Sequence, residues 1–168
     1  MITVNTDWIL PTQISFTPDP NNTNSPWTQL PSTFPVITTK NMRRISLHDI
    51  ATTAVFSDTL ILSGFNVPSY TTLIGMEIKV NVRRNSRITD YVVQPFLGST
   101  IYENLATQDG SAANIVTYGG PAELWGIPST DILTSNDFGI YLQVGPHPLY
   151  PGTDDAIVDG VSVRFHYQ

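Results

Sequence analysis

The chain has 168 residues, only 13% of them charged, with 13 prolines, 11 glycines, no cysteine and a formal net charge of −6. This length suits one domain with a core of its own, and the lack of cysteine excludes a disulfide framework, a thiol nucleophile and a zinc–thiolate site. The acidic balance argues against a nucleic-acid partner, because Arg43-Arg44 and Arg83-Arg84 are the only basic doublets and neither is interleaved with stacking aromatics.

The first residues, MITVNTDWIL, lack the basic start and apolar run of a signal peptide or a membrane span. The expectation is a protein assembled in the cytoplasm, with no membrane insertion. Residues 1–35 are rich in Asn, Thr, Ser and Pro. Pro11, Pro18, Pro20, Pro26, Pro31 and Pro35 exclude a helix and a long central strand. The segment reads as an extended arm whose spaced aromatics Trp8, Phe16, Trp27 and Phe34 lie along another surface, that of a binding partner in preference to that of its own domain. Residues 36–168 are read as the folded domain.

Between Val36 and Phe56 the pattern is weak, and Ser46–Ile50 fits either a helical turn or a strand start. Thr59–Phe65 is apolar enough to be a strand lying between two others. From Leu73 to Arg84 the alternation is plain: Met76, Ile78, Val80 and Val82 face a core, and Glu77, Lys79, Asn81 and Arg83 face water. Asn85-Ser86-Arg87 then turns the chain into a partner strand, Tyr91–Leu97, where Pro95 marks a bulge or an edge. Ile101–Asn114 reads as a loop between sheets.

The organising stretch is Thr117–Val144. Gly119-Gly120-Pro121 forces a sharp turn, Trp125 follows, and Phe138, Ile140, Leu142 and Val144 share one face of a strand. The loop Gly145–Gly152 is stiffened by prolines and reads as presenting His147 and Tyr150 outward. In the last strand Ile157, Val161, Val163, Phe165 and Tyr167 alternate with Val158, Ser162, Arg164 and His166, so this strand is expected to be central or well paired. Asp159 falls on the apolar parity beside Gly160, which implies a bulge or a buried, hydrogen-bonded carboxylate. The predicted fold is all-β: an antiparallel two-sheet sandwich, jelly-roll-like, with a Pro-rich N-terminal arm.

The ordered strings Gly64-Phe65-Asn66-Val67-Pro68, Ile74–Val80, Tyr118-Gly119-Gly120-Pro121-Ala122-Glu123-Leu124-Trp125-Gly126, Asn136–Ile140 and Val158–Tyr167 resemble a pattern of small structural proteins of tailed bacteriophages. The likeness spans about the last two-thirds of the chain, and Glu123 stands where the pattern has Asp. The resemblance implies a non-enzymatic virion protein of the decoration, cement or minor tail type, located on the particle and bound to capsid or tail proteins. Analogy with other phage jelly rolls implies a homo-oligomer, a trimer. The alternative is a tail-tip or tail-fibre adhesin for a host glycan.

Candidate chemistry is sparse. His48, His147 and His166 are scattered without ligand spacing, and His166 reads as a surface residue. Asp154, Asp155 and Asp159 form the densest carboxylate group, read as a solvated acidic turn in preference to a calcium site. No cofactor or metal is expected, and no Gly-x-Ser-x-Gly elbow or phosphate-cradling loop occurs. Trp125 reads first as a plug for the core and second as a platform for a sugar ring. A ligand-facing set would be Trp125, Tyr141, His147 and Tyr150.

Overall fold

The computed structural model describes residues 2–17, 28–29, 43–47, 56–84, 88–106, 113–128, 131–147 and 154–168. Those residues contain eleven strands and no helix. They are β1 (Val4–Asn5), β2 (Gln13–Thr17), β3 (Thr28–Gln29), β4 (Arg43–Leu47), β5 (Thr59–Ser63), β6 (Leu73–Arg83), β7 (Ile88–Leu97), β8 (Thr100–Ile101), β9 (Ile115–Gly120), β10 (Phe138–Pro146) and β11 (Asp154–Tyr167). Sheet I runs β3-β4-β11-β6-β9 with β1 also on β11, and sheet II runs β2-β5-β10-β7-β8.

The pairings nest. Strand β4 pairs β11, β5 pairs β10, β6 pairs β9 and β7 pairs β8, all antiparallel. The chain is thus one long two-ply hairpin wound over itself, and β6·β11 and β7·β10 close it sideways. This is the jelly-roll connection, so the expected all-β sandwich is what forms. The last strand is central, lying between β4 and β6, and β5 lies between β2 and β10.

Period-two alternation decides which side chains go inward. Met76, Ile78, Val80 and Val82 of β6 are fully buried, as are Phe138, Ile140, Leu142 and Val144 of β10. Phe138 lies edge-to-face with both Phe65 and Phe165 at 5.5 Å between ring centres, a packing worth about 0.5–1.5 kcal/mol per pair beyond the area it buries. A register shift between Val158 and Gly160 sets Asp159 aside. Its carboxylate is buried and accepts from Arg83 Nε at 2.6 Å, so the bulge and the bonded carboxylate are both present.

Two expectations need correction. Strands β6 and β7 are not a hairpin, because the chain crosses from sheet I to sheet II between them. Each strand alternates cleanly, but alternation defines a face and leaves the partner undefined. The second correction concerns the front of the chain. Residues 2–17 are built into the sandwich, so the boundary at 35 is not where it begins. Strand β4 pairs with β11 only over residues 154–158. The edge left open is taken by the N-terminal segment, with Val4 and Asn5 opposite Tyr167 and His166. Ile9 exchanges both hydrogen bonds with Val163, at 2.7 and 2.9 Å. Strand β2 then crosses to sheet II and pairs β5 along its length. The prolines at 11 and 18 bracket β2 and do not interrupt it.

Candidate functional site: a charged face and a charge-free face

The two outer faces of the sandwich differ in kind. Five of the eight Lys and Arg residues lie on strands of sheet I: Arg43, Arg44, Lys79, Arg83 and Arg164. The strands of sheet II carry no Lys, Arg or Glu, and their single charge, Asp90, is fully buried.

On the face of sheet I the outward residues of β6 and β11 are tied together. Glu77 Oε2 accepts from Arg164 Nε at 2.6 Å and lies 2.7 Å from His166 Nε2. The other imidazole nitrogen is 2.8 Å from Asn5 Oδ1. Trp8 covers this group, with Lys79 Nζ 4.2 Å and the Arg164 guanidinium 4.5 Å from its ring centre, close enough for cation–π attraction. The Arg164 hydrogen bond, joined by His166, holds the Glu77 carboxyl below the usual carboxylate range even though burial pulls the other way. His166 is therefore buried, 4% exposed, and the expectation of a surface residue is overturned. The polar parity of β6 and β11 is wet only in part, because residues 5 and 8 come back over it. Beside this group, Trp8, Leu10, Lys79, Asn81, Ile115 and Ser162 border a groove of about 280 Å³.

On sheet II the outward row runs Ser15, Ile61, Tyr141 and Gln94 across four strands. In the neighbouring row Phe96 lies across Gly139, where a Cβ would come within 2.2 Å of the ring. Phe96 stacks on Tyr141 at 4.4 Å with the planes 23° apart. Further along, Phe56 and Tyr91 meet edge-on at 4.5 Å over Gly145. The glycines thus let aromatic rings lie flat on the sheet. The Gln94 and Gln143 amides donate to the Tyr102 and Ser57 carbonyls and so are held against the face. A second, more polar cleft of about 410 Å³ lies at the sheet end, bordered by Thr12, Gln13, Ser63, Asn66, Ser135 and Asn136.

Comparison with family models, with curated proteins and with solved structures found no match to this chain.

The predicted ligand-facing set is not brought together. Trp125 is fully buried; its indole N–H donates to the Met76 carbonyl at 2.8 Å, and its own N–H donates to Glu123 Oε1 at 2.9 Å. It is the plug and not the platform, because the φ of +58° at this residue turns the ring under the β9 turn. His147 is also buried, 2% exposed, so the loop does not present it outward. Tyr141 lies half-buried on the charge-free face, and Tyr150 lies outside the described residues. Of the predicted partner-binding set, Trp8 is occupied within its own domain. Phe16 is 41% exposed on β2, and Trp27 and Phe34 lie outside the described residues. Among the described residues no group of three or more His, Cys, Asp or Glu is set to hold a metal ion.

Sequence reasoning missed the charge-free face. The signal was present in the strands from Thr59, Tyr91 and Phe138, which contain no basic residue. It became a face only once those strands were known to share a sheet.

Proposed function

We propose that this chain is a non-enzymatic structural protein of a bacteriophage particle, a jelly-roll unit on the surface of capsid or tail that is held by neighbouring subunits. The resemblance of its ordered motifs supports the particle. One observation supports the mode of attachment: of the seven exposed large hydrophobics among the described residues, Ile2, Val4, Leu10 and Phe16 all fall in the first seventeen residues. That segment is hydrogen-bonded to both sheets, so it offers its aliphatic side chains from a fixed strip instead of a loose arm. A pre-ordered strip costs less entropy to bind than a free tail. Four described groups that could do chemistry fit the same reading, since Glu77, Asp90, Asp159 and His166 are engaged in structural pairings.

The test is to recover the chain from purified particles by mass spectrometry and to locate it on them by antibody labelling. Ile2→Ser with Leu10→Ser should leave the domain folded and lower its occupancy on the particle. Absence from washed particles would overturn the reading.

A further inference from the structure

We propose that the outer face of sheet II is where two copies of this chain pack on one another about a two-fold axis. The inference rests on the reading of the chain as a particle building block, and it names the surface by which that block joins its own kind.

The argument begins with charge. Each copy carries a net −6, so two copies repel unless they meet where no like charges are brought together. Sheet I cannot serve broadly, because Lys79, Arg83 and Arg164 stand on its outer side. On the described strands of sheet II the outward side chains include Ile61, Tyr141, Phe96 and Val92 with Gln94 and Gln143 between them, and none of these is ionisable near neutral pH. Loss of charge with enrichment in Tyr and Phe is the composition of an interface core. The rings are already ordered against one another, Phe96 stacked on Tyr141 at 4.4 Å and Phe56 edge-on to Tyr91 at 4.5 Å, so contact would freeze little further motion. All described strands belong to the two sheets, so none overlies this face.

The symmetry follows from one patch meeting itself. A face that meets the same face of another copy makes an isologous contact, and such a contact has a two-fold axis. A trimer needs two different patches and is not what this face builds. The acidic remainder of the surface then forms a repelling rim, so added salt strengthens the dimer by screening it.

The experiment is sedimentation of the full chain over a concentration series at low and at high salt. The expected result is a monomer–dimer equilibrium that shifts toward dimer as salt is added. Ile61→Lys and Tyr141→Lys, each tested for fold by circular dichroism and melting, should raise the dissociation constant by about 100-fold or more. Ile115→Lys, on the edge strand of sheet I, should leave it unchanged. If either face variant fails to fold, hydroxyl-radical footprinting of the unaltered chain decides, with Tyr141 and Phe96 protected at high concentration and open on dilution. A monomer at every concentration, a trimer, or a dimer indifferent to the face substitutions overturns the proposal. So does a monomer that binds glycans through Tyr141, which would put a sugar on this face instead. A chain found on particles but monomeric in solution defeats this inference alone, and a dimer absent from particles defeats the virion reading alone.

Discussion

At the level of single residues, the fold depends on a few positions where the backbone or a charge has no alternative. Gly119 has φ +79°, and a Cβ there would sit 2.3 Å from the Met76 carbonyl oxygen and 2.7 Å from the Trp125 indole nitrogen. Gly119→Ala should therefore cost about 1–2 kcal/mol from the left-handed backbone alone, with the clash adding to it. Trp125→Ala empties the plug and should cost about 3–5 kcal/mol. Urea midpoints check both, and a Trp125→Ala variant as stable as the parent would show that the ring closes nothing. Glu77 gives a prediction in pH. Because Arg164 depresses its folded value, the carboxylate adds stability above the ordinary carboxylate range and loses it as the pH falls through the folded value. The melting temperature of the parent should thus fall more steeply below about pH 4 than that of Glu77→Gln. The two curves should converge in strong acid.

At the level of strands, the N-terminal segment shows what pattern can and cannot reveal. The alternation in Met76–Val82 and Phe138–Val144 was legible because a half-buried strand must put every second residue on one side. Strand β1 has two residues and β2 has five, mostly exposed, and a period cannot be read over such lengths. The burial of His166 was illegible for a related reason, since its cover comes from Asn5, 161 positions away. An arm that is part of the sandwich has consequences for truncation. Removing residues 1–10 strips the Thr6 and Ile9 hydrogen bonds from β11 and uncovers Glu77 and His166. At about 1 kcal/mol per lost bond, a folded domain melting several degrees lower is expected. Removing residues 1–17 also takes β2 from β5 and bares the edge beside Leu60, Ile61 and Leu62, an uncharged strand edge prone to pairing with other chains. The longer deletion should precipitate at concentrations where the shorter one stays in solution, as light scattering would show. Equal behaviour of the two would mean that β2 contributes nothing to sheet II.

For the whole molecule, the problem is to hold two sheets in register when every nested pair beyond β7·β8 joins distant stretches of chain. At the β6-to-β7 crossover a buried ion pair pins them. Arg84, at the end of β6, donates from two guanidinium nitrogens to Asp90 of β7, the second at 3.0 Å. Tyr118 of β9 donates to the same carboxylate at 2.6 Å. The Arg84 and Asp90 side chains are 2% and 0% exposed, so neither charge can turn to water. A pair like this is costly to break and cheap to replace. Asp90→Ala leaves a guanidinium uncompensated in the interior and should cost about 3–5 kcal/mol. The double change Arg84→Met with Asp90→Leu removes both charges together and should recover most of that loss. Urea unfolding of the two singles and the double closes the cycle. Recovery would mean that the pair fixes which strands cross without supplying much net stability. A double variant as unstable as the worse single would mean instead that the Tyr118–Asp90–Arg84 geometry itself holds the sheets together, and that apolar packing at this crossover cannot take its place.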